Sequence, residues 1–91
     1  MKNAIRNFNE ALQYHNKNAY AKAFPLFQSA AQRGLPEAQV YMGMYYDHGY
    51  YVPQDKTSAF SYYMMAAQQG NAWGQCTVGT CYLTGTGIGQ D

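Results

Sequence analysis

Along most of the chain, the positions suited to a buried face recur every third or fourth residue, which is the spacing of an amphipathic helix. The first such series is Ala4, Ile5, Phe8, Ala11, Leu12 and His15. It predicts a helix over about residues 3–15, closed by the Asn-Lys-Asn turn at 16–18. A second series stops at Gly34, and its inward positions are Ala23, Phe27, Ala30 and Ala31. The pattern therefore predicts an all-α protein.

Three more helices follow from the same spacing and from the glycines that interrupt it. They are predicted at about residues 36–48, 56–69 and 72–84, with Gly49 and Gly70 as stop signals after the third and fourth. About five helices are thus expected in all.

Short polar residues and prolines mark the helix starts. Asn18, Asp55 and Asn71 precede the second, fourth and fifth helices, where their side chains are predicted to cap free backbone N–H groups. Pro36 suits the first turn of the third helix. Pro25 falls inside the second helix and predicts a kink or a late start there.

The chain also repeats itself with a shift of 36 residues. Residues 30–34 (AAQRG) align with residues 66–70 (AAQQG), and the register holds without a gap from the pair 23/59 to the pair 55/91. Twelve of these 33 pairs are identical, against roughly two or three expected by chance. Such a period is typical of a solenoid whose units stack on one another. Gly43 and Gly79 recur in mid-helix, which predicts a close approach of a neighbouring helix at both.

Composition narrows the class of protein. The chain of 91 residues is expected to form one small domain, and its net charge of +1 argues against a dedicated nucleic-acid or membrane-surface protein. No apolar run approaches the ~20 residues of a membrane span. Lys2 and Arg6 are followed by polar residues where a signal peptide needs an apolar core, so no signal peptide is expected. Cys76 and Cys81 lie five residues apart in one predicted helix, which favours free thiols and a reducing, cytoplasmic location.

The repeated segment resembles a known family. It contains the pattern A-x-x-x-M-G-x-x-Y-x-x-G-x-x-V-x-x-D-x-x-x-A-F-x-Y-Y-x-x-A-A-x-Q-G between residues 38 and 70, and a second copy continues at Val78-Gly79, Tyr82, Gly85, Gly87-Ile88 and Asp91. This pattern resembles the Sel-one-like repeat, a relative of the tetratricopeptide repeat. Tyr50, Tyr51 and Pro53 depart from the small glycine-rich loop of the family pattern.

The resemblance implies a right-handed α–α superhelix that acts as a scaffold or adaptor for protein complexes, without chemistry of its own. It divides the single domain into a tetratricopeptide-like helix pair at 1–34, a Sel-one-like repeat at 35–70 and an incomplete second one at 71–91. We therefore expect a non-enzymatic bacterial protein whose partner is another protein or peptide.

Arrangements that would indicate catalysis or cofactor binding are weak. The GTGIG sequence at 85–89 follows a predicted helix rather than a strand, so a dinucleotide loop is not expected there. His15, His48, Cys76 and Cys81 are spread over three helices and lack the tight spacing of zinc sites. We expect no catalytic residue, no cofactor and no metal. A small hydrolase or metal protein using these side chains stays open as an alternative of another class.

The best functional signal is an aromatic and polar face on the third helix and its counterpart one repeat later. Its residues are Glu37, Tyr41, Tyr45 and His48, followed by Trp73 and Thr77. The first helix of each pair lines the concave side of such superhelices, so this face is predicted to form a groove for a peptide or partner helix. The alternative is that Tyr41, Tyr45 and Trp73 pack between adjacent repeats.

Two further expectations concern partners. A dedicated inhibitor or immunity-type partner of a single toxin or enzyme is the main alternative to a general scaffold. Asp91 aligns with Asp55, so Val78, Gly79 and Tyr82 are expected to lack the cover that the fourth helix gives their counterparts. This predicts a weak homodimer or swapped assembly through residues 72–84.

Overall fold

A computed structural model describes the backbone of residues 2–84 and the side chains of residues 2–79. The described chain consists of five α-helices and their turns: α1 (Lys2–Asn16), α2 (Tyr20–Gln32), α3 (Pro36–His48), α4 (Lys56–Gln68) and α5 (Ala72–Thr84). No strand occurs within these residues. The all-α prediction is confirmed, and the predicted bounds of α3 and α5 agree with the structure residue for residue.

The 36-residue period of the sequence is also a structural period. The first residues of α2 and α4 are 36 apart (56 − 20), as are those of α3 and α5 (72 − 36), and their last residues repeat the same interval. The backbone hydrogen bonds that close α2 recur at the end of α4, from Gly34 and Leu35 to Ala31 and Ala30 and from Gly70 and Asn71 to Ala67 and Ala66. One unit therefore contains two successive helices and the turn that closes the second, as in α3, α4 and the turn after α4.

Two predicted caps are confirmed. The carboxylate of Asp55 accepts a hydrogen bond from the backbone N–H of Ser58 at 3.1 Å, and the side-chain oxygen of Asn71 accepts one from the N–H of Gly74 at 2.8 Å. Each bond satisfies an N–H group that has no partner within its own helix. The starts of α4 and α5 are therefore fixed by local side-chain chemistry.

The predicted cap at Asn18 is wrong. Ala19 occupies the N-cap position of α2 and makes no side-chain cap, while Asn18 adopts a left-handed conformation with φ of 61°. Asn18 closes α1 instead, since its N–H donates to the carbonyl of His15 at 2.9 Å. A residue in this conformation cannot also take the extended conformation that an N-cap requires. Its side-chain oxygen accepts a hydrogen bond from the Tyr20 hydroxyl.

The two helix prolines behave differently. Pro36 lies at the start of α3, as predicted. Of the two alternatives predicted for α2, a kink or a late start, the late start does not occur, because the helix begins at Tyr20 and continues through Pro25. Pro25 removes the bond to the carbonyl of Ala21, but both residues are exposed. Water can therefore satisfy that carbonyl.

Helix α3 lies at the centre of the packing. Its buried residues Ala38, Met42 and Tyr45 belong to a core shared with α1 and α2, whose buried members include Ala4, Ala11, Phe24, Phe27, Ala30 and Ala31. On the opposite side, Val40 belongs to a second core with Ala59, Tyr63, Ala66 and Val78. Because α3 contributes to both cores, its exposed strip is held in a defined orientation.

Close contacts between helices were predicted at Gly43 and Gly79, but the structure has them at Gly43 and Gly74. Gly43 is confirmed as a close-contact position, since the ring of Tyr63 lies directly against it. Gly79 is not, because a β-carbon there would meet no described atom within 4 Å. The close approach near α5 occurs instead at Gly74, where a β-carbon would lie 2.8 Å from the β-carbon of Ala66. Gly79 differs from Gly43 because its side of α5 is exposed.

Candidate partner-binding surface

Helices α1, α3 and α5 are linked along one side of the protein. Helix α3 contacts α5 directly and more extensively than α2 contacts α4, and rings of α1 reach α3. Helices α1, α3 and α5 are thus linked along one side, which is the side that superhelices of this kind are expected to curve around.

Three aromatic residues form a continuous line across this side. The ring centroids of Phe8 on α1 and Tyr41 on α3 are 5.6 Å apart, and those of Tyr41 and Trp73 on α5 are 5.3 Å apart. Both pairs meet edge to face, which is a favoured geometry for aromatic rings. We refer to Phe8, Tyr41 and Trp73 as the aromatic row. Phe8 and Tyr41 are half-buried, whereas Trp73 is 43% exposed.

The middle of the aromatic row has a rigid base. The ring of Tyr41 stacks on that of Phe27, with centroids 4.7 Å apart and planes only 5° from parallel. Phe27 is fully buried in the core of α1, α2 and α3. Tyr41 therefore presents its remaining surface in a fixed position, with little side-chain entropy left to lose on binding.

Tyr45 does not reach the surface that the sequence assigned to it. Its exposure is 0%, and its hydroxyl lies 3.0 Å from Nδ1 of His15 in a hydrogen bond. Burial, with a smaller contribution from neighbouring tyrosines, raises its pKa. Rings on all sides contact it: those of His15, Tyr20, Phe24, Phe27 and Tyr50. Tyr45 thus supports the aromatic row from below and offers no contact to a partner.

His15 lies in the same aromatic core. Its ring contacts Tyr41 at a centroid distance of 5.3 Å as well as the rings of Tyr20, Phe27, Tyr45 and Tyr50. Desolvation in this environment lowers the pKa of His15. The described residues hold no group of three side chains suited to a metal ion. The structure therefore gives His15 a packing role under the surface.

Of the other predicted site residues, Glu37 and Thr77 lie next to members of the aromatic row, and His48 does not. Glu37 is exposed and precedes Tyr41 by one turn on the same face of α3. Thr77 follows Trp73 by one turn, and its hydroxyl donates to the Trp73 carbonyl at 2.8 Å. His48 lies away from the row at the end of α3, where its ring contacts Tyr50. Glu37, Tyr41, Trp73 and Thr77 are thus brought together, and their role in binding stays a prediction.

Two residues of α1, Phe8 and Ile5, were not assigned to this surface from the sequence. Phe8 was assigned only to the core, and Ile5, predicted to point inward, is exposed one turn before Phe8. The 36-residue register begins at Ala23 and so gives no alignment between α1 and α3. The spacing within α1 predicts its face but not the residues it meets.

A repeated glutamine ties α3 and α5 each to the helix that precedes it in the chain. The side-chain amide of Gln39 donates to the carbonyl of Ala31 at 3.2 Å, and that of Gln75 donates to the equivalent carbonyl of Ala67 at 3.4 Å. Gln69 donates in turn to the side-chain oxygen of buried Gln39 at 2.7 Å. These bonds tie α3 to the end of α2 and α5 to the end of α4.

One residue of the expected open face of α5 is covered. Val78 was predicted to be uncovered but is only 9% exposed, because it packs into the core of α3 and α4. Gly79 is exposed, while the side chains of Cys81 and Tyr82 and the GTGIG sequence lie outside the described residues. Weak self-association through residues 72–84 stays a prediction.

No helix in the described part of the chain is long and apolar enough to cross a membrane.

Stacked helix pairs with an exact structural period define a protein of the α–α superhelical repeat class. A family model for the Sel1 repeat matches residues 16–35, 36–71 and 74–91. The chain therefore belongs to the Sel1 repeat family.

Solved structures agree with this assignment. A Sel1 repeat protein from Oxalobacter formigenes is 32% identical, with a TM-score of 0.85 over 97% of this chain and 69% of its own. A protective antigen of uropathogenic Escherichia coli strains, which displays an SLR fold, is also 32% identical, with a TM-score of 0.89 over 93% of this chain and 19% of its own. The chain has no match among curated proteins.

Proposed function

We propose that this protein is a non-enzymatic interaction module, acting in the bacterial cytoplasm, that binds a segment of another protein across the aromatic row. The observation that carries the proposal is the half-exposed Trp73, whose ring lies against Tyr41. Tryptophan, with tyrosine and arginine, is enriched among the residues that dominate binding energy. The Sel1 repeat family, which typically mediates protein–protein interaction, supports the same role.

The arrangement suits an extended or helical segment better than a small molecule. The aromatic row runs across three helices that are not adjacent in sequence, so a ligand that contacts all three rings must cross the surface from α1 to α5. Tyr41 is held by stacking on Phe27, which reduces the entropy cost of binding. A partner side chain packed on Trp73 would be the main contact of such an interface.

The test is a selection from a library of random peptides displayed on phage, carried out in parallel on the wild-type protein and on Trp73→Ala. We expect the wild type to enrich peptides whose affinity falls by at least about tenfold with Trp73→Ala, as for a residue that dominates binding. Tyr51→Ala is the matched control, because Tyr51 is 61% exposed but lies in the α3–α4 loop against Phe24. Equal enrichment by wild type and Trp73→Ala would contradict the proposal.

A further inference from the structure

Helix α3 carries an unpaired charge beside the aromatic row. Glu37 is exposed, precedes Tyr41 by one turn and makes no salt bridge within the described residues. The other acid of α3, Asp47, is paired with Lys56, and no charged residue occurs in α5. An unpaired carboxylate therefore lies one turn from Tyr41 on α3, while α1 carries the exposed residues Lys2, Arg6 and Glu10.

Glu37 is flanked by apolar and aromatic groups. Helices α1 and α3 run in the same direction, separated by one antiparallel helix, and Phe8 of α1 lies against Tyr41 of α3. Ile5 precedes Phe8 by one turn and is exposed, so it lies level with Glu37 on the α1 side. On the other side, Trp73 contacts Tyr41. Glu37 thus lies one turn from the Tyr41 ring that Trp73 contacts, and Ile5 lies level with it on α1.

We infer that this surface selects a partner segment in which a lysine or arginine is adjacent to an apolar residue; the inference rests on the proposed function. The cation would contact the Glu37 carboxylate and the π-face of an aromatic ring, two interactions that a basic side chain can make together. The apolar neighbour would pack on Ile5 and Phe8, which are the aliphatic and aromatic groups available on α1. An acidic segment would be disfavoured by the same carboxylate.

The peptide selection is extended to Glu37→Gln, which keeps the size of the side chain and removes its charge. Glu10→Gln is the matched control, since Glu10 is an exposed acid on α1 outside the aromatic row. Enriched peptides are then synthesised and titrated while the fluorescence of Trp73, the one tryptophan of the chain, is recorded. Circular dichroism checks that each variant is folded.

We expect the peptides that depend on Trp73 to pair Lys or Arg with an apolar residue. Their affinity should fall at least about fivefold with Glu37→Gln and with replacement of the basic residue by Gln, and should stay unchanged with Glu10→Gln. It should also weaken as salt rises, but only for proteins that retain Glu37.

Two results separate the failure of this inference from the failure of the proposed function. Peptides that need Trp73 but lack a basic residue, or that bind Glu37→Gln as tightly as wild type, would overturn the inference alone. A selection that yields no peptide dependent on Trp73 would overturn the proposed function and the inference with it.

Discussion

The ring of Tyr63 occupies the space that a side chain at Gly43 would need. An ideal β-carbon built on Gly43 would lie 2.6 Å from Cδ1 and 3.0 Å from Cζ of Tyr63. Tyr63 is only 2% exposed, and its hydroxyl donates to the Asp47 carboxylate at 3.3 Å. Because the ring is confined on both sides, it cannot move away at low cost.

Gly43→Ala and Gly79→Ala should therefore have opposite effects on stability. The first overpacks the contact between α3 and α4 and is expected to lower the free energy of unfolding by ~1–3 kcal/mol. The second occupies the equivalent position of α5, where a β-carbon meets no described atom within 4 Å, and should raise it by up to ~1 kcal/mol through helix propensity. Urea unfolding followed by circular dichroism measures both. A gain in stability for Gly43→Ala would show that Tyr63 relaxes freely.

Truncation of two rings of the aromatic row should lower the stability of the protein by different amounts. Tyr41→Ala removes a half-buried ring stacked on Phe27 and is expected to cost ~2–3 kcal/mol of stability, below the range for fully buried aromatics. Trp73→Ala should cost less, ~1–2 kcal/mol, because 43% of the residue is already exposed to water. Thermal unfolding of the two variants compares them. A larger loss for Trp73→Ala would place that ring in the core and weaken the proposed function.

Stability should depend on pH through His15. Its folded-state pKa lies below the unfolded value of 6.5 because of desolvation, so in a window below that value the unfolded chain binds a proton that the folded chain does not. The His15 contribution is thus fully present above pH 6.5, decreases as pH falls below it, and levels off below the folded pKa.

The measurement is urea unfolding between pH 7.5 and 4.5 for wild type and His15→Phe. The part of the pH dependence of the free energy of unfolding that comes from His15 should disappear in His15→Phe. The phenyl ring can occupy the same aromatic surroundings. His48→Gln, which changes the exposed histidine at the end of α3, serves as control and should keep the slope. If the free energy of unfolding depends on pH identically in wild type and His15→Phe, His15 is not the source of that dependence.

The hydrogen bonds of Gln39 should contribute more to the free energy of unfolding than those of Gln75, the equivalent residue one repeat later. Gln39 is buried, donates to the Ala31 carbonyl and accepts from Gln69, so Gln39→Leu should cost ~1–2 kcal/mol by removing these bonds. Gln75 makes only the longer bond to Ala67 and is exposed, so Gln75→Leu should cost less than ~0.5 kcal/mol. Calorimetric unfolding of Gln39→Leu and Gln75→Leu measures this difference in stability. The two variants would be equally stable if apolar packing alone set the separation of the helices.

The sequence predicted most of the fold because helix ends depend on local chemistry. Pro36 and Gly49 bound α3 on their own, and Asn71 caps α5 with a bond to a residue three positions away. Asn18 was misassigned since the same residue type can end one helix or begin the next. Which of the two occurs depends on how closely α1 and α2 follow each other, and that is set by tertiary packing.

The surface was predicted less completely, for a geometric reason. Residues spaced by four advance by about 400° along a helix of ~100° per residue, so each step drifts by about 40°. Starting from Glu37, Tyr41 has drifted little, but Tyr45 has turned toward α1 and α2 and is buried. Phe8 could not be found because the register between α1 and α3 lies outside the 36-residue period.

The unit of 36 residues carries its own helix starts, its closing turn and the glutamine that ties it to the preceding unit. A gene segment that encodes it can therefore be duplicated in frame, and the new copy will meet its neighbour through the same bonds without further substitutions. Natural selection can then lengthen the array first and alter exposed positions such as Glu37 and Trp73 afterwards. Recognition would thus diversify from copy to copy while the joints between copies stay the same.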